Sequence, residues 1–285
     1  MRALVTGGTG FVGTNLIKQL LKGYDNRITS LDNYTTGKID NQLKGCKYIH
    51  GDIRDYKALG TFDVIFHLAA LPRIGPSFKN PKAVFDTNVL GTQNILEYAR
   101  VYNIPVVYAG SSSFHGGVYK NPYTFTKWQG EELCKMYQEV YGVDVTICRF
   151  YNVYGDYMTD EGEYRTALSI FLDQYKKGEP MTITGDGSQR RDFTHVEDIV
   201  DAMILCVEKE AYGEIFELGR GENYGIKEIV MMISKMGKKS GSWTYIPKIE
   251  GEMKETLCVS KHAENVLGWK PTRNVEEWLK NEIQK

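Results

Sequence analysis

The sequence predicts an α/β fold: a doubly wound parallel sheet followed by a smaller, mixed α/β C-terminal domain. Three observations predict it. In the N-terminal half, β-branched runs alternate with amphipathic stretches, and this alternation changes after about residue 154. The composition is that of a globular protein. The 285 residues are 42% hydrophobic and 25% charged, which allows two domains and excludes disorder. The net charge of −1 leaves no basic surplus for binding nucleic acid or an anionic membrane.

Short apolar runs predict six strands of the sheet. They are Ala3–Thr6, Arg27–Leu31, Lys47–His50, Asp63–Leu68, Pro105–Ala109 and Asp144–Phe150. Between several of them, apolar residues recur at helical spacing, as in the stretch from Phe11 to Leu21. Strands that alternate with helices form a parallel sheet covered on both faces.

Beyond residue 154 the predicted elements are more mixed. They are a loop over Tyr157–Arg165, helices over Thr166–Lys177, Val196–Glu208, Ile226–Met236 and Glu276–Ile283, and strands over Met181–Thr184 and Ile215–Leu218. We therefore divide the chain into residues 1–155, with a return segment near 190–218, and an interleaved second domain over residues 156–285.

The cysteines and the N-terminus indicate a cellular setting. Cys46, Cys134, Cys148, Cys206 and Cys258 form no C-x-x-C pair, so buried reduced thiols are expected rather than disulfides or a metal site. The N-terminal residues lack the pattern of a signal peptide, and no run of 18 apolar residues occurs. We expect a cytoplasmic protein without a bound metal.

A glycine-rich turn joins the first predicted strand to the first helix. Gly7, Gly10 and Gly13 allow a tight turn, close approach of the backbone to a pyrophosphate, and an anion at the helix N-terminus. Glycines also end strands for purely structural reasons. Here, however, Asp32 closes the next strand, where a carboxylate accepts from the adenosine ribose and repels a 2′-phosphate. The pattern therefore predicts binding of NAD rather than NADP.

Two further residues in this half have competing interpretations. Asp52 follows the third predicted strand, where its carboxylate would lie beside the adenine amino group. A plain turn aspartate explains it equally well. His67 ends the fourth predicted strand, and we interpret it as a packed histidine rather than a catalyst.

Tyr123 and Lys127 are four residues apart in a predicted helix, so both side chains project from one face. A cation beside a phenol favours the phenolate, which can exchange a proton with a substrate hydroxyl. A solvated helix face is the default interpretation of this spacing alone. Ser111, after the fifth predicted strand, adds a hydroxyl that can share the same substrate oxygen.

These residues, in this order, resemble the extended short-chain dehydrogenase/reductase superfamily. The segments Arg149–Gly155, Gly185–Phe193 and Leu267–Pro271 are similar to those of NDP-sugar epimerases and dehydratases, most of all to the UDP-glucose 4-epimerases. The resemblance covers nearly the whole chain. It implies a Rossmann-type fold, oxidation of a sugar C4 hydroxyl by bound NAD, and a homodimer formed through the helices over Asp86–Tyr102 and Tyr123–Tyr141.

The resemblance also implies roles for individual residues. Ser111, Tyr123 and Lys127 would be catalytic, and Ser111, Asn152, Thr182 and Arg191 would bind the nucleotide sugar. The cofactor would contact Gly7, Gly10, Phe11, Val12, Gly13, Asp32, Asn33, Gly37, Asp52, Ile53, Leu68, Ala69, Ala70, Tyr123, Lys127 and Tyr151. For Arg191, an ion pair with Asp192 or Asp198 is the alternative.

The residues after Ser111 distinguish reactions within the family. Dehydratases typically carry Asp and Glu there, and decarboxylases a Glu, whereas this chain has Ser112 and Ser113. We therefore expect 4-epimerisation, most simply of UDP-glucose and UDP-galactose or their N-acetyl analogues. A dehydratase or net oxidoreductase is the alternative, as is a non-enzymatic NAD-sensing regulator, against which the Tyr123/Lys127 pair argues.

Two departures from the family pattern bear on the substrate. Ser111 and Tyr123 are only 12 residues apart, so the loop that covers the sugar is short. The family's R-x-G-E reads Ile249-Glu250-Gly251-Glu252, so one arginine that touches the nucleotide in relatives is missing.

Overall fold

The central element is a seven-stranded parallel sheet. The computed structural model describes residues 1–23, 25–55, 59–237 and 241–285. The strands of the sheet are β1 (Arg2–Thr6), β2 (Arg27–Asp32), β3 (Cys46–His50), β4 (Val64–His67), β5 (Val106–Ser111), β6 (Val145–Phe150) and β11 (Ile215–Leu218). Their order is β11-β6-β5-β4-β1-β2-β3, and every neighbouring pair is parallel. The predicted fold class is confirmed.

Helices cover both faces of this sheet. Successive residues of β1 point to opposite faces: Ala3 and Val5 pack with α1 (Phe11–Leu20) and α7 (Val196–Glu208), and Leu4 with α4 (Thr92–Tyr102) and α5 (Pro122–Tyr141). The remaining helices near the sheet are α2 (Ile74–Lys79), α3 (Pro81–Phe85), a π-helical turn over Asp86–Gly91, 3₁₀ turns over Ile39–Asn41, Ser112–Gly116 and Val118–Lys120, and α9 (His262–Leu267). No described helix combines the length and apolar composition needed to cross a membrane.

A second core forms beside the carboxyl end of the sheet. It packs α6 (Ala167–Lys177), α8 (Ile226–Met236) and α10 (Val275–Gln284) around buried side chains such as Phe171, Ile183 and Ile229. Three two-stranded ladders complete it: β7 (Val153–Tyr154) with β10 (Thr194–His195), β9 (Arg190–Asp192) with β12 (Asn223–Gly225), and β8 (Met181–Thr184) with β13 (Trp243–Ile246).

The predicted elements agree with the structure where local signals are strong. Thr166 caps α6 by accepting from the Ser169 amide at 3.1 Å, and Gly178 ends it at a φ of +74°. The sequence analysis missed α2, α3, α9 and the strands β7, β9, β10, β12 and β13, which are short and depend on partners elsewhere in the chain. It also placed Ser111 after the fifth strand, whereas Ser111 is the last residue of β5.

Candidate active site

A cavity of about 770 Å³ lies at the carboxyl ends of the strands of the central sheet. In open α/β sheets this edge is where ligands bind. Most residues predicted for the site line it: Gly7, Gly10, Phe11, Val12, Gly13, Asp32, Asn33, Ile53, Leu68, Ala69, Ala70, Ser111, Tyr123, Lys127, Tyr151, Asn152, Thr182 and Arg191. Gly37 and Asp52 are not among the lining residues.

The glycine loop between β1 and α1 leaves no room for side chains. Gly7 has a φ of +73°, and a Cβ there would lie 2.9 Å from the Ala69 backbone. A Cβ on Gly13 would lie 2.2 Å from the Gly7 carbonyl oxygen. No side chain caps the N-terminus of α1, and its first turn holds no acidic residue, so this end is open to an anion.

The Asp32 carboxylate is fixed at the end of β2. Its two oxygens accept from the backbone amides of Thr9 at 2.9 Å and Tyr34 at 2.8 Å. The side chain is 8% exposed and lines the cavity. In NAD-binding sites a carboxylate at this position accepts from the adenosine ribose, and a glycine loop at the helix N-terminus takes the pyrophosphate. Asp32 and the glycine loop provide both, so the residues present fit this cofactor.

Asp52 and Gly37 lie next to residues that line the cavity. Arg54 donates to the Asp52 carboxylate from Nε at 2.9 Å and from Nη2 at 2.7 Å, and Asn33 donates at 2.7 Å. The Arg54 guanidinium holds the pKa of Asp52 well below its usual range. A Cβ on Gly37 would lie 2.2 Å from the Thr9 hydroxyl oxygen, so this glycine packs against the loop. The contacts predicted for Asp52 and Gly37 with the cofactor stay predictions.

The start of α5 places the predicted acid–base residues together. Asn121 caps this helix by accepting from the Thr124 amide at 2.8 Å. The Tyr123 hydroxyl in the first turn lies 3.4 Å from Ser111 Oγ, which lies 2.9 Å from Ser113 Oγ. Three hydroxyl groups therefore meet at the end of β5, in the cavity wall.

Lys127 lies one helical turn after Tyr123 and is 5% exposed. Its Nζ lies 4.2 Å from the centroid of the Tyr108 ring. Burial lowers the pKa of Lys127 to about 8, against the opposing influence of the Glu131 carboxylate. Glu131 in turn accepts from Arg149 Nη2 at 2.7 Å. Lys127 thus carries a positive charge at neutral pH in a site with little water.

His67 is a packed residue, as predicted. Its ring nitrogens lie 2.7 Å from the Thr6 hydroxyl and 3.0 Å from the Thr92 hydroxyl. Complete burial lowers the pKa of His67 to about 3, so the imidazole is neutral. It supports β4 from below the cavity.

Arg191 has a partner that the sequence analysis did not name. Its Nη2 donates to Glu252 Oε1 at 2.7 Å, and its Nη1 donates to the carbonyl oxygens of Arg190 and Lys254 at 2.9 and 3.3 Å. The expected alternative, an ion pair with Asp192 or Asp198, is therefore wrong. Glu252 belongs to the segment in which Ile249 replaces the family's arginine.

The Asn152 side chain is also held by its surroundings. Its Nδ2 donates to the Asp192 carbonyl oxygen at 3.1 Å and to the Thr256 hydroxyl at 2.8 Å. Thr182 faces Gln174, whose Nε2 donates to the Thr182 hydroxyl at 3.0 Å. These contacts fix both side chains along the wall that Arg191 completes.

Asp192 is the anchor of this wall. It is completely buried and accepts from three backbone amides, those of Arg220 at 2.8 Å, Gly221 at 2.9 Å and Cys258 at 2.9 Å. Burial raises the pKa of Asp192, and these amides oppose that rise. One carboxylate thus ties the Arg191 strand to two other segments.

The sequence analysis missed several lining residues, among them Arg73, Glu252 and Thr256. The signal for Arg73 was its place, a cation three positions after Ala70 in the segment that follows β4. The positions of Glu252 and Thr256 depend on how residues 246–258 lie against β9, which no local pattern indicates.

The glycine loop, Asp32 and the Tyr123/Lys127 pair above a parallel sheet define a dinucleotide-dependent Rossmann-type protein. A family model described as "NAD dependent epimerase/dehydratase family" matches residues 3–219. The chain belongs to this family, and the cofactor of the family is NAD.

This chain is similar to a relative and to two solved structures over nearly its full length. The chain is 34% identical to a putative UDP-glucose 4-epimerase of Methanocaldococcus jannaschii, with 98% of this chain and 96% of the relative covered. It resembles UDP-glucose 4-epimerase from Thermotoga maritima, solved with UDP-glucose, at a TM-score of 0.93 and 26% identity, covering 100% and 98% of the two chains. It also resembles dTDP-glucose 4,6-dehydratase from Streptomyces venezuelae, solved with NAD, at a TM-score of 0.91 and 26% identity, covering 100% and 96%.

Proposed function

We propose that the protein catalyses epimerisation of a nucleotide sugar at C4, through a transient 4-keto intermediate, with bound NAD. The observation that carries this proposal is the pair Ser112 and Ser113 after the Ser111 hydroxyl. Elimination, as in a dehydratase, needs a carboxyl acid and base near the sugar. Without them, elimination is disfavoured, and the ketone takes the hydride back on its other face.

The lining carboxylates support this reaction over elimination. Within the described residues the cavity is lined by three of them, Asp32, Glu163 and Glu252. Asp32 accepts from backbone amides, Glu163 from Lys79 at 2.7 Å, and Glu252 from Arg191 at 2.7 Å. Each has a partner, so none is a free acid or base beside Tyr123.

The chain's own residues divide the chemistry among them. Tyr123 takes the proton from the C4 hydroxyl and returns it, and Ser111 shares the same oxygen. The Lys127 ammonium stabilises the phenolate form of Tyr123. When bound, NAD supplies the acceptor and donor for the C4 hydride.

We assign the substrate diphosphate to Arg191 and Asn152. The Arg191 guanidinium offers a planar fork suited to phosphate oxygens. Two backbone carbonyls hold its Nη1, so the side chain stays in place while its Nη2 exchanges the Glu252 carboxylate for phosphate. In this proposal residues 1–155, with the return segment near 190–218, form the NAD-binding domain, and residues 156–285 form the interleaved substrate domain. Asn152 and Arg191 contact the substrate from segments of the NAD-binding domain.

We further propose a homodimer formed through α4 and α5. These adjacent helices expose Val101, Tyr102, Val140 and Tyr141, each at least 40% accessible. Apolar side chains clustered on two neighbouring helices favour burial against a second copy. Light scattering of the wild type and of Val140→Glu tests this: a dimer that dissociates in the variant supports the interface, and a monomeric wild type refutes it.

The reaction is tested by product analysis. Purified protein is incubated with UDP-glucose, UDP-galactose and their N-acetyl analogues, and the products are identified by NMR. We expect the C4 epimer without net consumption of NAD, and formation of this product about 10²- to 10⁴-fold more slowly by Tyr123→Phe. A 4-keto-6-deoxy sugar would identify a dehydratase, and stoichiometric reduction of NAD would identify a net oxidoreductase.

A further inference from the structure

Four arginines line the cavity, and three of them are neutralised by ion pairs. The pairs are Arg54–Asp52 at 2.7 Å, Arg165–Asp173 at 3.0 Å and Arg191–Glu252 at 2.7 Å. Arg73 differs, because no carboxylate of the described residues pairs with it. Its Nε donates to the Tyr164 carbonyl oxygen at 3.1 Å, and its Nη1 and Nη2 have no acceptor among the described residues.

Arg73 lies at the end of the cavity where the proposed chemistry takes place. Burial lowers the pKa of Arg73, and the charge of the Tyr123 phenol opposes this. Geometry agrees, because Asn88 accepts from the Leu71 amide at 2.8 Å and donates to the Thr126 hydroxyl at 3.1 Å, which holds the segment before Arg73 against the start of α5. Arg191, to which we assign the diphosphate, lies in a different wall with its own set of partners.

The backbone of Arg73 is strained. Its φ is +82° and its ψ is 138°, a conformation that glycine adopts freely and a side chain rarely does. A glycine would satisfy this turn without strain. The position thus supplies a charged side chain to the cavity at some expense of backbone energy, which is typical of residues that act on a ligand.

We infer that Arg73 recognises a carboxylate on the sugar ring, so that the substrate is a nucleotide-activated sugar acid. The two free Nη groups form the fork that pairs with a carboxylate through two parallel hydrogen bonds. In a hexuronate this group sits on C5, next to the carbon on which Tyr123 acts. With a neutral hexose, the half-buried guanidinium would have no carboxylate partner in the cavity. The inference rests on the proposed function and narrows its substrate class.

The test compares three probes on the NAD-loaded protein: UDP, UDP-glucose and UDP-glucuronate, each titrated by calorimetry. For the wild type we expect UDP-glucuronate to bind about 10- to 100-fold more tightly than UDP-glucose, the usual effect of a charge-assisted fork. Arg73→Gly should reduce this ratio to near one while affinities for UDP and UDP-glucose stay within about threefold. Glycine relieves the backbone strain, so this variant should fold. Lys82→Gln, which removes an exposed cation on α3, is the control and should leave the ratio unchanged.

Several results would overturn the inference. The first is a wild type that binds UDP-glucuronate no better than UDP-glucose, or that binds none of the probes. The second is an Arg73→Gly variant that loses as much affinity for UDP as for UDP-glucuronate. The third is a loss of NAD from that variant. The equal loss would assign Arg73 to the diphosphate, and the loss of NAD would assign it to the cofactor. Product analysis separates this from the proposed function: C4 epimers of UDP-glucose without a preference for the acid refute the inference alone. A preference for the acid without any epimer refutes the reaction alone.

Discussion

Replacing Lys127 with methionine should stabilise the fold while removing the activity. Methionine keeps the length and apolar stem of the side chain but removes the ammonium group. Burial lowers the pKa of Lys127 from its ordinary value of 10.5 to about 8. A difference of this size corresponds to about 3 kcal/mol of unfolding free energy. While Lys127 is protonated, the wild type is less stable by this amount than a chain with no charge at this position.

The sign of the pH dependence follows from proton binding. Below about pH 8 the lysine is protonated in both the folded and unfolded states, so the full destabilisation is present. Between pH 8 and 10.5 the unfolded state holds a proton that the folded state has released, so wild-type stability rises with pH. The advantage of Lys127→Met should therefore be on the order of 1–3 kcal/mol at pH 7 and disappear as the pH approaches 10.5.

Denaturant unfolding followed by circular dichroism at pH 7, 8, 9 and 10 measures this difference. Lys135→Met is the matched control, since Lys135 lies on the same helix but is 43% exposed and pairs with Glu132. Its stability difference from the wild type should not change over this range. A Lys127→Met variant that is less stable than the wild type at pH 7, or whose advantage does not depend on pH, would refute the reasoning.

Three further predictions concern the site. Asp32→Ala should reduce the preference for NAD over NADP by roughly 1–3 kcal/mol, measured as the ratio of dissociation constants, and an unchanged ratio would contradict the assignment. Tyr123→Phe should bind NAD normally but lose about 10²- to 10⁴-fold in kcat, with a smaller loss in Ser111→Ala; full activity would place the base elsewhere. Arg191→Ala should weaken UDP binding about 10- to 100-fold, whereas Glu252→Gln should strengthen it because it frees the Arg191 guanidinium. If both variants bind UDP as tightly as the wild type, Arg191 does not hold the diphosphate.

The predictable parts of this protein depend on residues close together in the sequence. The glycine loop, the cap at Thr166 and the spacing of Tyr123 and Lys127 are local signals, and the structure places these elements as expected. The ion pair of Asp52 is also local, because Arg54, which donates to its carboxylate, is only two positions away.

The parts that could not be predicted depend on distant segments. Arg191 pairs with Glu252, 61 positions along the chain, rather than with the neighbouring Asp192. The neighbour was unavailable, because its carboxylate is already bound by three backbone amides. Sequence spacing does not reveal which of several nearby carboxylates has been used in this way. Likewise, only a comparison of every lining cation reveals that no carboxylate of the described residues pairs with Arg73.

The network at Asp192 has a consequence for the order in which the chain is made. The last of its three amide donors belongs to Cys258, near the end of the protein. A ribosome would therefore expose most of the seven-stranded sheet before the wall that carries Arg191 could close. Until then the Asp192 carboxylate would be partly unsatisfied and the nucleotide-sugar half of the cavity incomplete. The glycine loop and Asp32 come from the first two strands, so affinity for the dinucleotide should arise earlier in synthesis than affinity for the sugar.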